Sequence, residues 1–134
     1  MASILKVDTL TGVSTAGNIT VTSQGGAVTS QLQIGLVNAW LVFDQDTPVI
    51  TNSINTASVT DHATGQYTQN FTNGFSNDDQ AYVPTSQNES TNTNTATQPN
   101  QGRTTTTAIG VNCVENGVVT DKFYNLVITC GDLA

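Results

Sequence analysis

Thr104-Thr-Thr-Thr-Ala-Ile-Gly-Val-Asn-Cys-Val-Glu-Asn-Gly-Val-Val-Thr-Asp-Lys-Phe-Tyr-Asn-Leu-Val-Ile-Thr-Cys130 decides the fold. Asn116-Gly117 sits between two β-branched, apolar runs, the strongest short-range signal for a two-residue type I′ hairpin, because both turn positions need positive φ. A turn there opposes residues whose numbers sum to 233, which sets Cys113 against Thr120. The spacing predicts a strand over 104–114 and another over 118–130. The second carries Tyr124, Leu126, Ile128 and Cys130 on one face and Phe123 and Val127 on the other. Apolar groups on both faces imply a strand covered on both sides, by a second sheet or by another subunit.

Working outward, the same grammar recurs. Gln66-Tyr-Thr-Gln-Asn-Phe-Thr72 alternates, with Tyr67 and Phe71 on one face, and Thr60–Gly65 before it reads as a turn. Asn38-Ala-Trp-Leu-Val-Phe43 is the most apolar run, and Trp40 is expected to anchor the core. Residues 48–59 read as a long strand or a pair, and Ala81–Pro84 as a short one. Leu32, Ile34 and Leu36 alternate with Gln31, Gln33 and Gly35 as in a half-buried strand. Near the N-terminus, Ser3–Leu10 and Ile19–Thr22 read as two further strands, broken at Gly12 and Gly17-Asn18 and ended by Gly25-Gly26. Eight to ten strands with turns every 8–12 residues indicate an all-β, antiparallel β-sandwich or barrel-like domain over 31–134, preceded by an extended N-terminal arm and docking segment over 1–30. Residues 85–103 hold no aliphatic larger than Ala96 and no aromatic, so they are expected to form a long polar loop.

Composition agrees. Of 134 residues, 24 are Thr, 14 Asn, 10 Gln and 9 Ser, while only 10% are charged. That mixture lacks the Glu, Lys, Arg and Leu that favour helices, so an all-helical chain is excluded. The opening Met1–Lys6 lacks the basic region and apolar run of an export signal, and no stretch approaches the ~18 apolar residues of a membrane span. The expectation is a chain without an export signal and with no membrane partner. Ten carboxylates face Lys6, Arg103 and Lys122, a net charge of −7 that opposes binding to phosphate backbones, so no nucleic-acid partner is expected. Cys113 and Cys130 are expected to be free thiols, because ten residues of continuous strand hold them about 33 Å apart.

No reactive constellation emerges. His62, the one histidine, lies in a polar turn, where a shielded catalytic base is poorly placed. One His and two distant Cys do not make a zinc site. Asp44/Asp46 and Asp78/Asp79 are carboxylate pairs that could serve calcium, but neither fits an EF-hand loop, and Asp also caps turns. Gly25-Gly26 has no following helix and no Lys, so it is not a phosphate cradle. No catalytic, metal or cofactor-binding residue is assigned, no cofactor is expected, and the chain is read as a non-enzyme. The abundant hydroxyls and amides suit hydrogen bonding to sugars or protein backbone, or simply solubility.

Met1–Leu10 followed by Gly and Ile19-Thr-Val-Thr22 resembles the opening of short virion proteins of marine tailed bacteriophages. Asn38-Ala-Trp-Leu-Val-Phe-Asp44, then Ile54–Asn73, then Ala81-Tyr-Val83, resemble a β-rich module of fibre-like and surface proteins of such phages. Where that module commonly has Gly-Thr-Gly after the Phe, this chain has Asp44-Gln-Asp-Thr-Pro48. The resemblance implies a virion protein assembled in the host cytoplasm, a homotrimer that decorates or cements the capsid beside the major capsid protein. Its alternative is a short tail or head fibre binding a host glycan, for which Tyr67 and Tyr82 are the aromatic candidates. The arm is the expected docking segment, through Ile4, Leu5, Val7, Leu10, Ile19 and Val21, since extended chain can add to a partner's sheet edge.

Overall fold

The computed structural model describes residues 6–10, 19–22, 29–32, 35–87 and 95–134. They contain eleven strands and one short 3₁₀ turn, and no α-helix: β1 (Thr20–Thr22), β2 (Thr29–Gln31), β3 (Ala39–Asp44), β4 (Val49–Ile54), β5 (Thr56–Ala63), β6 (Gln66–Phe71), β7 (Ala81–Gln87), β8 (Thr95–Pro99), η1 (Gln101–Arg103), β9 (Ala108–Glu115), β10 (Val118–Val119) and β11 (Tyr124–Cys130). Every pairing is antiparallel. Two sheets stack as an open sandwich and do not close into a barrel. One is four-stranded, in the order β4-β3-β11-β7; the other runs β10-β9-β6-β5, with β8 on the free side of β9. Among the described residues, β1 and β2 pair with each other as a separate two-stranded sheet.

The core lies between the sheets. Ala39, Leu41 and Phe43 from β3 and Val127 from β11 meet Tyr67 and Phe71 from β6 and Ile109, Val111 and Cys113 from β9, with Phe75 closing one end. Period-two alternation makes each of these runs half-buried, because successive side chains in a strand point to opposite faces. The Phe43 and Tyr67 rings lie 5.2 Å apart, and Phe71 meets Phe75 edge-on at 4.9 Å.

The Asn116-Gly117 hairpin forms as its sequence dictates, with φ of 48° and 83° at the two turn residues and Val118 opposite Glu115. Its second strand is not continuous, however. β10 ends at Val119, residues 120–123 cross between the sheets, and β11 pairs with β3 and β7 in the other one. Hydrogen bonds tie the crossing to the four-stranded sheet: Asn125 Nδ2 donates to the carbonyls of Phe43 (3.2 Å) and Lys122 (2.8 Å), and Gln45 N donates to the Lys122 carbonyl. The chain therefore leaves the hairpin through a crossover that strand periodicity does not encode.

Further expectations are corrected. Trp40 is only half-buried and lies on the outside of its sheet, because Ala39, Leu41 and Phe43 take the inward positions. The Thr60–Gly65 turn is confined to Thr64-Gly65, since β5 runs on to Ala63. Gly65 is required there: its φ is +66°, and a Cβ would lie 2.5 Å from Val119 Cγ1 and 2.6 Å from Thr120 N, where β10 abuts the turn. Within 85–103, β7 extends to Gln87 and Thr95–Pro99 pairs along β9, so the polar tract supplies an edge strand as well as connection. Thr and Gln rungs suffice there because the ladder bonds are main-chain bonds. Residues 6–10 carry no strand; of the Leu32–Leu36 pattern, Leu32 and Gly35 lie in turns and Leu36 in a bend, while Gln33 and Ile34, like the remainder of the Ser3–Leu10 reading, lie outside the described residues.

Candidate docking surface

The sandwich has two outer faces of opposite chemistry. On the five-stranded sheet, the outward residues form polar rungs. Asn70 Nδ2 donates to Ser58 Oγ (3.1 Å) and Thr60 Oγ1 (3.0 Å), His62 Nε2 shares a 2.8 Å hydrogen bond with Thr68 Oγ1, and Asn100 Nδ2 donates to Asn112 Oδ1 (3.1 Å). His62 is thus an exposed rung at the end of β5 rather than a base in a cleft. Beyond β9 the 3₁₀ turn packs closely, and Gly110 allows it: a Cβ there would meet Arg103 Cβ at 2.6 Å and the Asn100 carbonyl at 2.8 Å.

The four-stranded sheet differs. Directly paired residues project on the same side. The register Val83↔Ile128, Ile128↔Trp40 and Trp40↔Ile54 therefore lays an apolar row across all four strands. Leu126 and Val42 form the next row between Thr85 and Asn52. Val83 is 68% exposed, Ile54 52%, Ile128 37% and Tyr124 45%, with Trp40, Val42 and Leu126 half-buried by one another. Among the outward positions of these paired rows, the only charge is Asp44, at the end of β3, and it is engaged within its own turn, accepting from Thr47 N (3.1 Å) and Thr47 Oγ1 (2.6 Å). Four strands at ~4.8 Å spacing and about 20 Å long give the face roughly 400 Å². That is within the size range of the largest, often functional, patches on a monomer.

The arm residues stand apart from this sheet. Val7, Leu10 and Val21 are about half exposed and Ile19 is half-buried, while Ile4 and Leu5 lie outside the described residues. Leu36 and Val37, just before β3, are exposed as well. Sequence reasoning singled out the arm and missed the outer row. The signal for that row was present in the two-sided apolar pattern of 124–130, one side of which is the core and the other this face.

Several titratable groups are buried. Lys122 is fully buried, and its Nζ donates to Glu115 Oε2 at 2.6 Å across the hairpin. Cys113 Sγ donates to Asn125 Oδ1 at 3.1 Å. Burial pushes the Cys113 thiol up to about 11, against opposing contributions from the Ser86 hydrogen bond and the Lys122 charge. Burial, with a smaller contribution from Cys113, also raises the Tyr67 phenol well above its ordinary value. Both cysteines are free, Cys113 buried and Cys130 half-buried. Among the described residues no three His, Cys, Asp or Glu side chains gather as a metal site, and Asp44 caps a turn. Tyr67 is completely buried and Tyr82 bonds Thr104 Oγ1 at 3.1 Å, so Tyr67 cannot serve as a sugar platform.

Comparison with family models, with curated proteins and with solved structures gives no match for this chain.

Proposed function

We propose that this chain is a structural subunit of a tailed-phage virion, a decoration or cement protein that covers the capsid surface and performs no bond-making of its own. The observation that carries the reading is the row Val83–Ile128–Trp40–Ile54, an almost charge-free apolar sheet face on a chain of net charge −7. A free soluble subunit gains nothing from such a face, whereas a subunit that works seated among neighbours covers it and gains roughly 25 cal/mol per Å² of apolar surface removed from water. The exposed apolar residues of the arm add a second contact of the same chemistry. The resemblance of the arm and of residues 38–83 to phage surface proteins supplies the setting. The fibre reading is less well supported, since Tyr67 lies in the core.

Purified particles lacking the protein, incubated with the full chain, should bind it in stoichiometric copy and gain resistance to heat or osmotic shock. Deletion of residues 1–22 should abolish attachment. Unchanged occupancy by the deleted chain, or particles that lose host adsorption but keep their stability when the protein is absent, would overturn the reading.

A further inference from the structure

On one side the sandwich stays open between two edge strands, β4 of the four-stranded sheet and β5 of the five-stranded one. A groove of about 380 Å³ lies there, lined by Phe43, Pro48, Ile50, Ala57, Ser58, Val59 and Asp61. An irregularity between Val42 and Phe43 opposes Phe43 to Ile50, which brings Ile50 to the inner side while Val49 and Ile54 face outward. β4, Val49-Ile-Thr-Asn-Ser-Ile54, has neither charge nor proline, the usual protection of an edge, whereas β7 at the opposite edge carries Pro84.

The polar end of the groove is short of donors. The buried Gln45 side chain donates Nε2–H to Asp61 Oδ1 at 3.3 Å, and its Oε1 accepts no hydrogen bond among the described residues. A carboxylate and an unsatisfied amide oxygen beside an apolar groove suit an apolar strand that brings an ammonium group. The chain contains three cations. Lys122 is buried against Glu115, and Arg103 sits on the 3₁₀ turn beside Gly110. Lys6 is exposed and is followed by Val7 and Leu10, themselves 50% and 55% exposed.

We propose that the groove between β4 and β5 takes the Lys6–Leu10 segment of a second copy of this chain, Val7 entering the groove and Lys6 pairing with Asp61. The proposal rests on the assembly reading above and names its self-contact. Among the described residues the groove is unfilled and the segment exposed, and the ~400 Å² outer face alone is half of the roughly 800 Å² per partner of a stable interface. Arm into groove is a head-to-tail contact, which closes into a ring when the rotation allows; the expected trimer is such a ring.

Sedimentation equilibrium of the full chain tests this, with thermal melts as the folding control. The unmodified chain should be an oligomer. An arm variant, Lys6→Glu with Val7→Asp, and a groove variant, Ile50→Lys, should each be monomeric, while their equimolar mixture should form a one-to-one dimer, since one supplies the groove and the other the arm. Should Ile50→Lys fail to fold, Asp61→Lys should weaken association about three- to tenfold, and Lys6→Asp in the same chain should restore it. Arg103→Glu should change nothing. A monomeric unmodified chain, oligomers indifferent to these substitutions, a mixture that stays monomeric, or dependence on Arg103 instead would each overturn the proposal. An oligomer that does not bind particles sinks the decoration reading alone, and a monomer that binds them sinks this one alone.

Discussion

The two outer faces of the sandwich are built from the same kind of strand and end in opposite states. On the five-stranded sheet, Ser58, Thr60, His62, Thr68 and Asn70 hydrogen-bond one another, so the face is complete within one chain. On the four-stranded sheet, Val83, Ile128, Trp40 and Ile54 pair with one another across the strands and remain in part exposed. A polar face can be finished by short-range hydrogen bonds, and water completes the rest. An apolar face can be finished only by coverage, because the hydrophobic effect scales with area removed from water. The difference teaches that the two faces are chemically asymmetric, one polar and hydrogen-bonded within the chain, the other apolar and partly exposed.

The largest effect should come from charging the apolar face. Val83→Lys with Ile128→Lys should lower particle attachment at least a hundredfold while leaving the melting temperature within a few degrees, measured by pelleting and by calorimetry; attachment that survives would erase the functional contrast between the faces. A smaller effect lies in the core that both faces share. Cys113 ionises near 9 when unfolded and only at about 11 when folded, so stability is fully present below pH 9 and is lost as pH rises towards 11. The loss should reach about 2 kcal/mol by pH 11, and Cys113→Ser should flatten that slope in urea titrations at pH 8 and 10.5. In the same range Cys130 should react with a thiol reagent far faster than the buried Cys113. Asn70→Ala should cost about 1 kcal/mol by removing two rungs, with attachment unchanged. A loss of attachment there would mean that the polar face also docks. Smallest of all, Val83→Thr should shift stability by less than about 0.5 kcal/mol, as fits a side chain the single chain leaves exposed.

Much of the fold was legible in local pattern. Asn116-Gly117 specified its turn because positive φ at two successive positions is a local demand, and Tyr67 and Phe71 shared the buried face that alternation assigned them. Trp40 was misread because size and hydrophobicity do not say which side of a strand faces the partner sheet; the small Ala39 is fully buried and the large Trp40 is not. The continuous strand 118–130 was misread because the crossing at 120–123 is fixed through the Lys122 carbonyl, which accepts from Asn125 at the start of β11 and from Gln45 after β3, a partner about 77 residues away in sequence. The free cysteines follow from the structure, but the crossover removes the straight-strand distance on which the expectation stood. Of the candidate docking surface, the arm was visible as apolar chain and the sheet face only as the second apolar side of one strand, read as covered by a second sheet or another subunit.

The amino-acid sequence by itself determined that this chain is all-β and antiparallel and where its tightest turn falls, since strand propensity and turn dihedrals are properties of neighbouring residues. Only the tertiary structure decided which face of each strand was buried, where β11 changed sheets, and that four apolar side chains from four strands align into one uncovered row. Those outcomes depend on register between segments up to 90 positions apart, as in the Ala39↔Thr129 pair, and register is fixed by the packing of the whole core.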